Sequence, residues 1–177
     1  MKISDLMVAA QDKSAGFKEW FALMLKWEVE TDAQGNIKDE YLKDGAGRTF
    51  CGLTTRDDGL LVVGQPSVTW VVEMYARKYW QPFSGLPTSV AQITANYALN
   101  MGKEEAITLL QKALRNVVVD GILGDNTIRA AWQTDQHELS LKLINFGRAH
   151  YEEIGHGSRA RFLSGWLNRN ADIEKLA

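Results

Sequence analysis

The sequence predicts a mainly α-helical protein of about seven helices, with a small β-hairpin or loop excursion near residues 29–54. Apolar residues recur at helical spacing along most of the 177-residue chain. The exception is a bent segment that holds three glycines within eight residues, Gly45, Gly47 and Gly52. Hydrophobic residues make up 45% and charged residues 24% of the chain, and these proportions exclude disorder and collagen-like repeats.

The first predicted helix begins near Ser14 and has one largely apolar face. That face has the spacing i, i+3, i+4, i+7 and i+11 and consists of Phe17, Trp20, Phe21, Met24 and Glu28. From Val29 to Asp44 the residues become mostly polar, with a turn signal at 34–36. This stretch predicts a loop or a short β-hairpin.

Helical spacing returns after Pro66 and continues nearly to the end of the chain. The helices predicted there span residues 67–80, 89–101, 103–114, 127–134, 137–154 and 159–168. Gly102 separates two of them, and a tight turn over residues 120–126 leads into a third.

We expect residues 1–177 to form a single compact domain. The best linker candidate, Leu86-Pro87-Thr88, is too short and too apolar to act as a flexible tether. Half of the chain would be about 90 residues long, a size at which a hydrophobic core is marginal. The two halves are therefore predicted to unfold as one cooperative structure.

Composition and motifs exclude several classes of function. The net charge of −2 gives no positive surplus for binding nucleic acid. No apolar run approaches the ~20 residues that span a bilayer, so we expect no stable membrane insertion. His137, His150 and His156 lack the i, i+4 spacing of a helical zinc pair, and no cofactor motif is present. We therefore expect no metal and no cofactor.

Glu28 is the first candidate for a catalytic residue, because it is a carboxylate on an apolar helix face. Such a position costs hydration and favours the protonated form that a general acid needs. The alternative is a glutamate at a helix end that turns to solvent. Glu30 and Asp32 lie close by in the sequence and are further carboxylates to consider.

Asp44 and Thr49 flank the glycine-rich turn and are the next candidates. Asp and Thr often brace such turns, which is the structural alternative to a catalytic role. Cys51 is the single cysteine, which excludes an internal disulfide. A thiol nucleophile there has no basic partner nearby in the sequence beyond Arg48.

These residues resemble a known family. The stretch DGAGRTFCGLT at 44–54, after the helix that ends at Glu28, is similar to Asp-x-Gly-Gly-x-Thr-x-x-Gly-Ile-Thr in glycoside hydrolase family 108. Ala46 and Leu53 differ from that pattern, and Val29 stands where the family has a glycine. The family consists of lysozyme-like N-acetylmuramidases, which act on peptidoglycan.

Further motifs follow in the order in which the family has them. Tyr-x-x-x-Tyr-Trp is matched at 75–80, Asn-x-Ala-x-Asn-x-Gly at 96–102, Leu-Gln-x-Ala-Leu at 110–114, Asp-Gly-x-x-Gly-x-x-Thr at 120–127 and Gly-Trp-x-x-Arg at 165–169. The resemblance covers residues 14–170. It implies a lysozyme-like fold with a catalytic segment over 14–88 and a helical segment over 89–170 that resembles the predicted peptidoglycan-binding region of these proteins.

The resemblance implies a glycosidase that cleaves the β-1,4 bond between N-acetylmuramic acid and N-acetylglucosamine. Bacterial peptidoglycan would be the partner, and a monomer is expected. The implied catalytic residues are Glu28 as the general acid with Asp44 and Thr49. The implied substrate-binding residues are Tyr79, Trp80, Asn96 and Asn100.

Two expectations concern how such an enzyme would be used. The N-terminus lacks the apolar stretch of a signal peptide, so we expect synthesis in the cytoplasm and action on the cell wall after release through a holin or another export route. The use would be phage-type lysis as an endolysin, or opening of the wall for secretion.

The alternative function is a non-catalytic peptidoglycan-binding protein on the same scaffold, in which Val29 and Ala46 mark a decayed site. Binding to the wall is expected to depend on an aromatic and polar cleft more than on charge. A steep salt dependence would instead indicate a basic patch formed by Arg148, Arg159, Arg161 and Arg169.

Overall fold

The chain begins with a short helix that the sequence pattern does not predict. Helix α1 spans Ile3–Ala9 and buries Leu6. Helix α2 follows over Ala15–Glu28 and starts where predicted, because the Ser14 side chain accepts a hydrogen bond from the Phe17 backbone N–H at 3.2 Å. The apolar face predicted for α2 is buried at Phe17, Trp20, Phe21 and Met24.

The structure, a computed structural model, describes residues 1–42, 47–59 and 64–177, with the backbone alone for residues 40–42 and 57. The described residues form two units, Met1–Lys78 and Tyr79–Ala177. Within the described ranges there are nine α-helices, so the protein is mainly α-helical as predicted. None of the helices described combines the length and the apolar character needed to cross a membrane.

The polar stretch after α2 forms the predicted turn. Thr31 and Ile37 make an isolated antiparallel bridge, and Asp32 organises the residues between them. Its side chain accepts hydrogen bonds from the backbone N–H groups of Gln34 and Asn36, at 2.9 and 2.8 Å. Hydrogen bonds from the backbone and side chain of Asn36 lower the pKa of Asp32.

The β excursion of the first unit is a three-stranded antiparallel sheet in the order β1-β2-β3. The strands are β1 (Asp39–Leu42), β2 (Gly47–Phe50) and β3 (Leu53–Thr54). Cys51 and Gly52 join β2 to β3, with φ angles of +52° and +71°. Two successive positive φ angles are the geometry of a type I′ hairpin turn, which fits the right-handed twist of the strands.

Two further helices complete the first unit. Helix α3 spans Thr55–Asp58 and α4 spans Val68–Met74. The Ser67 side chain caps α4 by accepting a hydrogen bond from the Trp70 backbone N–H at 3.1 Å. The helix predicted over 67–80 therefore starts at the predicted residue. Beyond Met74 it continues as a π-helix over Tyr75–Trp80. The division between the two units falls inside that π-helix.

The second unit is built around a helix whose whole circumference is buried over Val90–Ala98. Its helices are α5 (Thr88–Met101), α6 (Lys103–Leu114), α7 (Asp125–Gln133), α8 (Gln136–Ile154) and α9 (Ala160–Ile173), with 3₁₀ turns at Gln81–Phe83, Gly157–Arg159 and Glu174–Leu176. Helix α5 packs on α6 and α8, and α8 packs on α9. Leu86 and Pro87, in the candidate linker, are both buried within this unit.

A buried polar network connects three helices of the second unit. The Tyr97 hydroxyl on α5 donates a hydrogen bond to the Asn170 side chain on α9 at 2.5 Å. On α8, Gly147 leaves room for that hydroxyl, since a Cβ there would lie 2.1 Å from it. Burial raises the pKa of Tyr97, so its hydroxyl keeps the proton it donates.

Candidate active site

Glu28, the last residue of α2, packs tightly against the Cys51–Gly52 turn. A Cβ atom added to Gly52 would lie 2.8 Å from Glu28 Cβ and 2.9 Å from Glu28 Oε2. Both distances are shorter than the contacts that a real Cβ atom makes, so a larger residue at 52 would clash with Glu28. The φ of +71° at Gly52 also disfavours any other residue. The glycine thus allows the carboxylate of a half-buried Glu28 to lie beside the turn.

Glu28 and Thr49 line the same pocket, which has a volume of about 330 Å³. The other lining residues are Trp27, Glu30, Lys38, Cys51, Gly52 and Thr54. Thr49 Oγ1 is buried and has no hydrogen-bond partner in the part of the chain that the structure describes. Buried polar atoms in proteins are nearly always paired, so a water molecule that reached this hydroxyl would supply the partner it lacks.

Tyr75 holds the Cys51–Gly52 turn in place from the protein interior. Its side chain is fully buried and its hydroxyl donates a hydrogen bond to the Cys51 carbonyl oxygen at 2.6 Å. The ring packs on α2 through Phe21 and Trp20, with centroid separations of 5.1 and 6.1 Å. Tyr75 therefore ties the turn to the helix that carries Glu28.

The remaining titratable groups of the pocket differ in their chemistry. Lys38 Nζ lies 3.0 Å from Glu30 Oε2 in an exposed ion pair, so the carboxylate nearest to Glu28 in sequence is already bound to a cation. Burial raises the pKa of the Cys51 thiol to about 12. A thiol with that pKa stays protonated at neutral pH, which argues against its use as a nucleophile.

Two of the three predicted catalytic residues are thus found together. The third, Asp44, lies outside the described residues, as do Gly45 and Ala46 of the same glycine-rich turn. Among the residues that are described, no group of three His, Cys, Asp or Glu side chains could hold a metal ion.

The four predicted substrate-binding residues belong to the second unit. Tyr79 and Trp80 are half-buried at the end of the π-helix. Asn100 is half-buried, and its Nδ2 donates to the Tyr151 hydroxyl at 2.6 Å. Asn96 is fully buried and its Oδ1 accepts a hydrogen bond from Arg169 Nε at 2.8 Å. The structure therefore places Asn96 in the interior, where it binds a side chain of α9 instead of facing a ligand.

The Arg169–Asn96 hydrogen bond also removes Arg169 from the basic patch considered above. Arg169 is only 6% exposed because its guanidinium is turned inward to Asn96. It is therefore not part of a surface patch. Arg148 faces Glu174 at 3.9 Å, whereas Arg159 and Arg161 are exposed.

Gln111 explains two of the sequence motifs at once. This buried residue of Leu-Gln-x-Ala-Leu holds the Asp-Gly-x-x-Gly-x-x-Thr loop by both ends of its amide. Its Nε2 donates to Asp120 Oδ1 at 2.8 Å and to the Ile122 carbonyl oxygen at 3.0 Å, and its Oε1 accepts from the backbone N–H groups of Asp120 and Gly121. The motif is therefore a structural device that orders a loop.

Sequence reasoning missed Tyr75, Trp27 and Lys38 as residues of this site. The signal for Tyr75 was available, since it is the first tyrosine of the Tyr-x-x-x-Tyr-Trp motif from which only Tyr79 and Trp80 were selected. Trp27 directly precedes Glu28 in α2, so its place beside the candidate acid could have been read from the sequence. Lys38 gave no such signal, because it reaches the pocket only through the folding of the segment after α2.

Comparisons with known proteins agree with this fold and with an association with peptidoglycan. Residues 105–171 match the family described as Predicted Peptidoglycan domain. The solved structure of Brucella abortus SagA is similar with a TM-score of 0.70 and 23% sequence identity, over 90% of this chain and 91% of that chain. No curated protein sequence matches the chain.

The fold is thus mainly α and lysozyme-like, and the likeness to SagA extends over both units. At 23% identity this likeness establishes the fold alone. The domain match supports a peptidoglycan-associated function and peptidoglycan as the partner.

Proposed function

We propose that this protein is an N-acetylmuramidase, which hydrolyses the β-1,4 bond between N-acetylmuramic acid and N-acetylglucosamine in peptidoglycan. One observation carries the proposal: a glutamate at a helix end and a buried, unpartnered threonine hydroxyl line one pocket beside a glycine turn. The domain match at residues 105–171 supports the substrate class.

Glu28 is the proposed general acid. Glycosidases protonate the leaving oxygen while an oxocarbenium-like transition state forms, and this requires a carboxylic acid held in a fixed position. The Cys51–Gly52 turn and the Tyr75 hydroxyl fix the surroundings of Glu28. Glu30 lines the same pocket, but its side chain is exposed and pairs with Lys38, whereas Glu28 is half-buried at the helix end beside the Gly52 turn.

Thr49 and Asp44 are proposed to handle the attacking water. Thr49 Oγ1 can accept or donate a hydrogen bond and lines the pocket with Glu28. Asp44, proposed from the sequence, would activate the water or stabilise positive charge on the sugar.

The test compares lysis by the wild type with lysis by two matched variants. Glu28→Gln keeps the shape of the side chain but removes the acid, so turnover on purified sacculi should fall by a factor of order 10²–10⁴. Glu30→Gln changes a neighbouring carboxylate in the same pocket and should retain most of the activity. Mass spectrometry of the released fragments should show reducing N-acetylmuramic acid ends.

Three outcomes would contradict the proposal. Near-wild-type lysis by Glu28→Gln would reject Glu28 as the acid. Loss of lysis in Glu30→Gln with lysis kept in Glu28→Gln would move the acid to Glu30. A wild type that binds sacculi and releases no fragments would favour the non-catalytic binding protein.

A further inference from the structure

A second pocket, of about 420 Å³, lies within the second unit. It is formed where the end of α5, the start of α6, the end of α8 and the start of α9 meet. Its charged, polar and aromatic lining residues include Asn100, Glu105, His150, Arg159, Phe162 and Trp166. The volume is within the ~300–1,000 Å³ typical of small-ligand sites. We call it the α8–α9 pocket.

The aromatic rings of the α8–α9 pocket stack on one another. Trp166 stacks on Tyr151, with ring centroids 5.5 Å apart, and on Phe162, with centroids 5.9 Å apart. The Arg161 guanidinium lies 4.6 Å from the Phe162 centroid. These contacts cover part of both rings, and Phe162 remains 46% exposed. Together the rings give the pocket an aromatic wall, which suits apolar groups of a ligand.

The charged groups of the pocket have both signs. Arg159 is exposed and makes no ion pair with any residue that the structure describes. Glu105 and His150 lie together, with Nδ1 of the imidazole 3.4 Å from Oε1 of the carboxylate. Apolar groups of Met101 and Ile154 line the same pocket. A ligand that fits this lining carries a carboxylate, an amino group and small apolar groups.

We propose that the α8–α9 pocket binds the peptide stem of peptidoglycan. The stem carries free carboxylates for Arg159 and the methyl groups of its alanines for the aromatic wall. At its third residue it has a diamino acid whose ammonium group suits Glu105. Planar Arg–carboxylate pairing is strong and directional. All lining residues except Asn100 and Met101 belong to the stretch that matches the peptidoglycan domain family. The inference rests on the association with peptidoglycan and does not require cleavage at Glu28.

Isothermal titration of the full chain with a soluble stem tripeptide, L-alanyl-γ-D-glutamyl-meso-diaminopimelate, tests the proposal. The tripeptide should bind, and Arg159→Gln should weaken its affinity about tenfold, the loss of one charge-assisted contact. Arg148→Gln is the matched control, because Arg148 is an exposed arginine of the same unit outside the pocket. Glu105→Gln should weaken binding as well, through the ammonium group.

The proposal would be overturned if the tripeptide failed to bind at millimolar concentration, or if Arg159→Gln and Arg148→Gln bound it equally. It would also be overturned if chitotetraose, which has the sugar without the peptide, bound in a manner that Arg159→Gln abolishes. Glu28→Gln should bind the tripeptide as the wild type does. The tripeptide result can therefore be interpreted even if the muramidase proposal fails.

Discussion

Gly52 and Gly121 have the same positive φ, +71° in each, but they lie against different neighbours. A Cβ added to Gly52 would lie 2.8 Å from the Cβ of Glu28 and 2.9 Å from a carboxylate oxygen of Glu28, so it would collide with both. A Cβ on Gly121 would approach Glu104 Cγ at 2.8 Å. The Cβ of Glu28 is fixed to the backbone and cannot move aside. The side chain of Glu104 is exposed and can rotate away from residue 121. The comparison shows that Gly52 makes room for a candidate catalytic side chain, whereas Gly121 only allows the loop at 120–122 to turn.

The two turns are also held in different ways. One hydroxyl, that of Tyr75, reaches the Cys51 carbonyl in the first unit. In the second unit the Gln111 amide bonds both backbone and side-chain groups of the loop at 120–122. Because Gly52 lies against Glu28 and Tyr75 holds Cys51, a single change at the turn should reach the carboxylate.

The largest effect in this comparison is expected from Gly52→Ala. The methyl group cannot fit beside Glu28, so the carboxylate or the turn must move, and a misplacement of about 1 Å can cost 10²-fold in rate. Gly121→Ala has the same φ penalty, of roughly 1 kcal/mol, with a flexible neighbour. Lytic rate and thermal stability of both variants should be measured together. Equal losses of lysis in the two would show that the contact with Glu28 is unimportant.

A smaller effect is expected from Tyr75→Phe. Loss of the hydroxyl leaves the Cys51 carbonyl oxygen without its donor, at a cost of roughly 1–3 kcal/mol in stability. Tyr97→Phe is the control, since it removes a buried hydroxyl of the second unit from its hydrogen bond to Asn170. If Tyr75 positions the turn, its variant alone should lower kcat while KM stays nearly constant. A purely structural role would leave kcat per folded molecule unchanged in both variants.

The smallest effect concerns pH and the loop at 120–122. Hydrogen bonds from the Gln111 side chain and the Ile122 backbone lower the pKa of Asp120 below 3.8. A group whose pKa is lower in the folded state contributes stability above its unfolded pKa and loses it as the pH falls through the folded value. Asp120→Asn should therefore have a lower Tm than the wild type at pH 7, and the two curves should converge below about pH 4. A constant difference down to pH 3 would contradict this linkage.

Cooperation between the two units stays a prediction. Calorimetry of the full chain should show a single transition, and two separated transitions would indicate that Met1–Lys78 and Tyr79–Ala177 unfold independently.

Local signals in the sequence determined the helices. Ser14, Ser67 and Asp135 cap α2, α4 and α8 by bonds that reach only three residues along the chain. The apolar face of α2 is buried as its spacing predicts. These features are readable because a helix cap and a helical face depend on neighbours in sequence. Helix α1 escaped prediction because its apolar run is short.

Tertiary structure alone decided which polar residues face the pockets. Asn96 and Arg169 are 73 residues apart in sequence and become a buried pair, which removes one from the expected substrate site and the other from the expected basic patch. Tyr75 and Cys51 are 24 residues apart, and their bond fixes the turn beside Glu28. Periodicity shows which side of a helix is apolar, but the partner of a polar group is chosen by chain segments that meet only on folding.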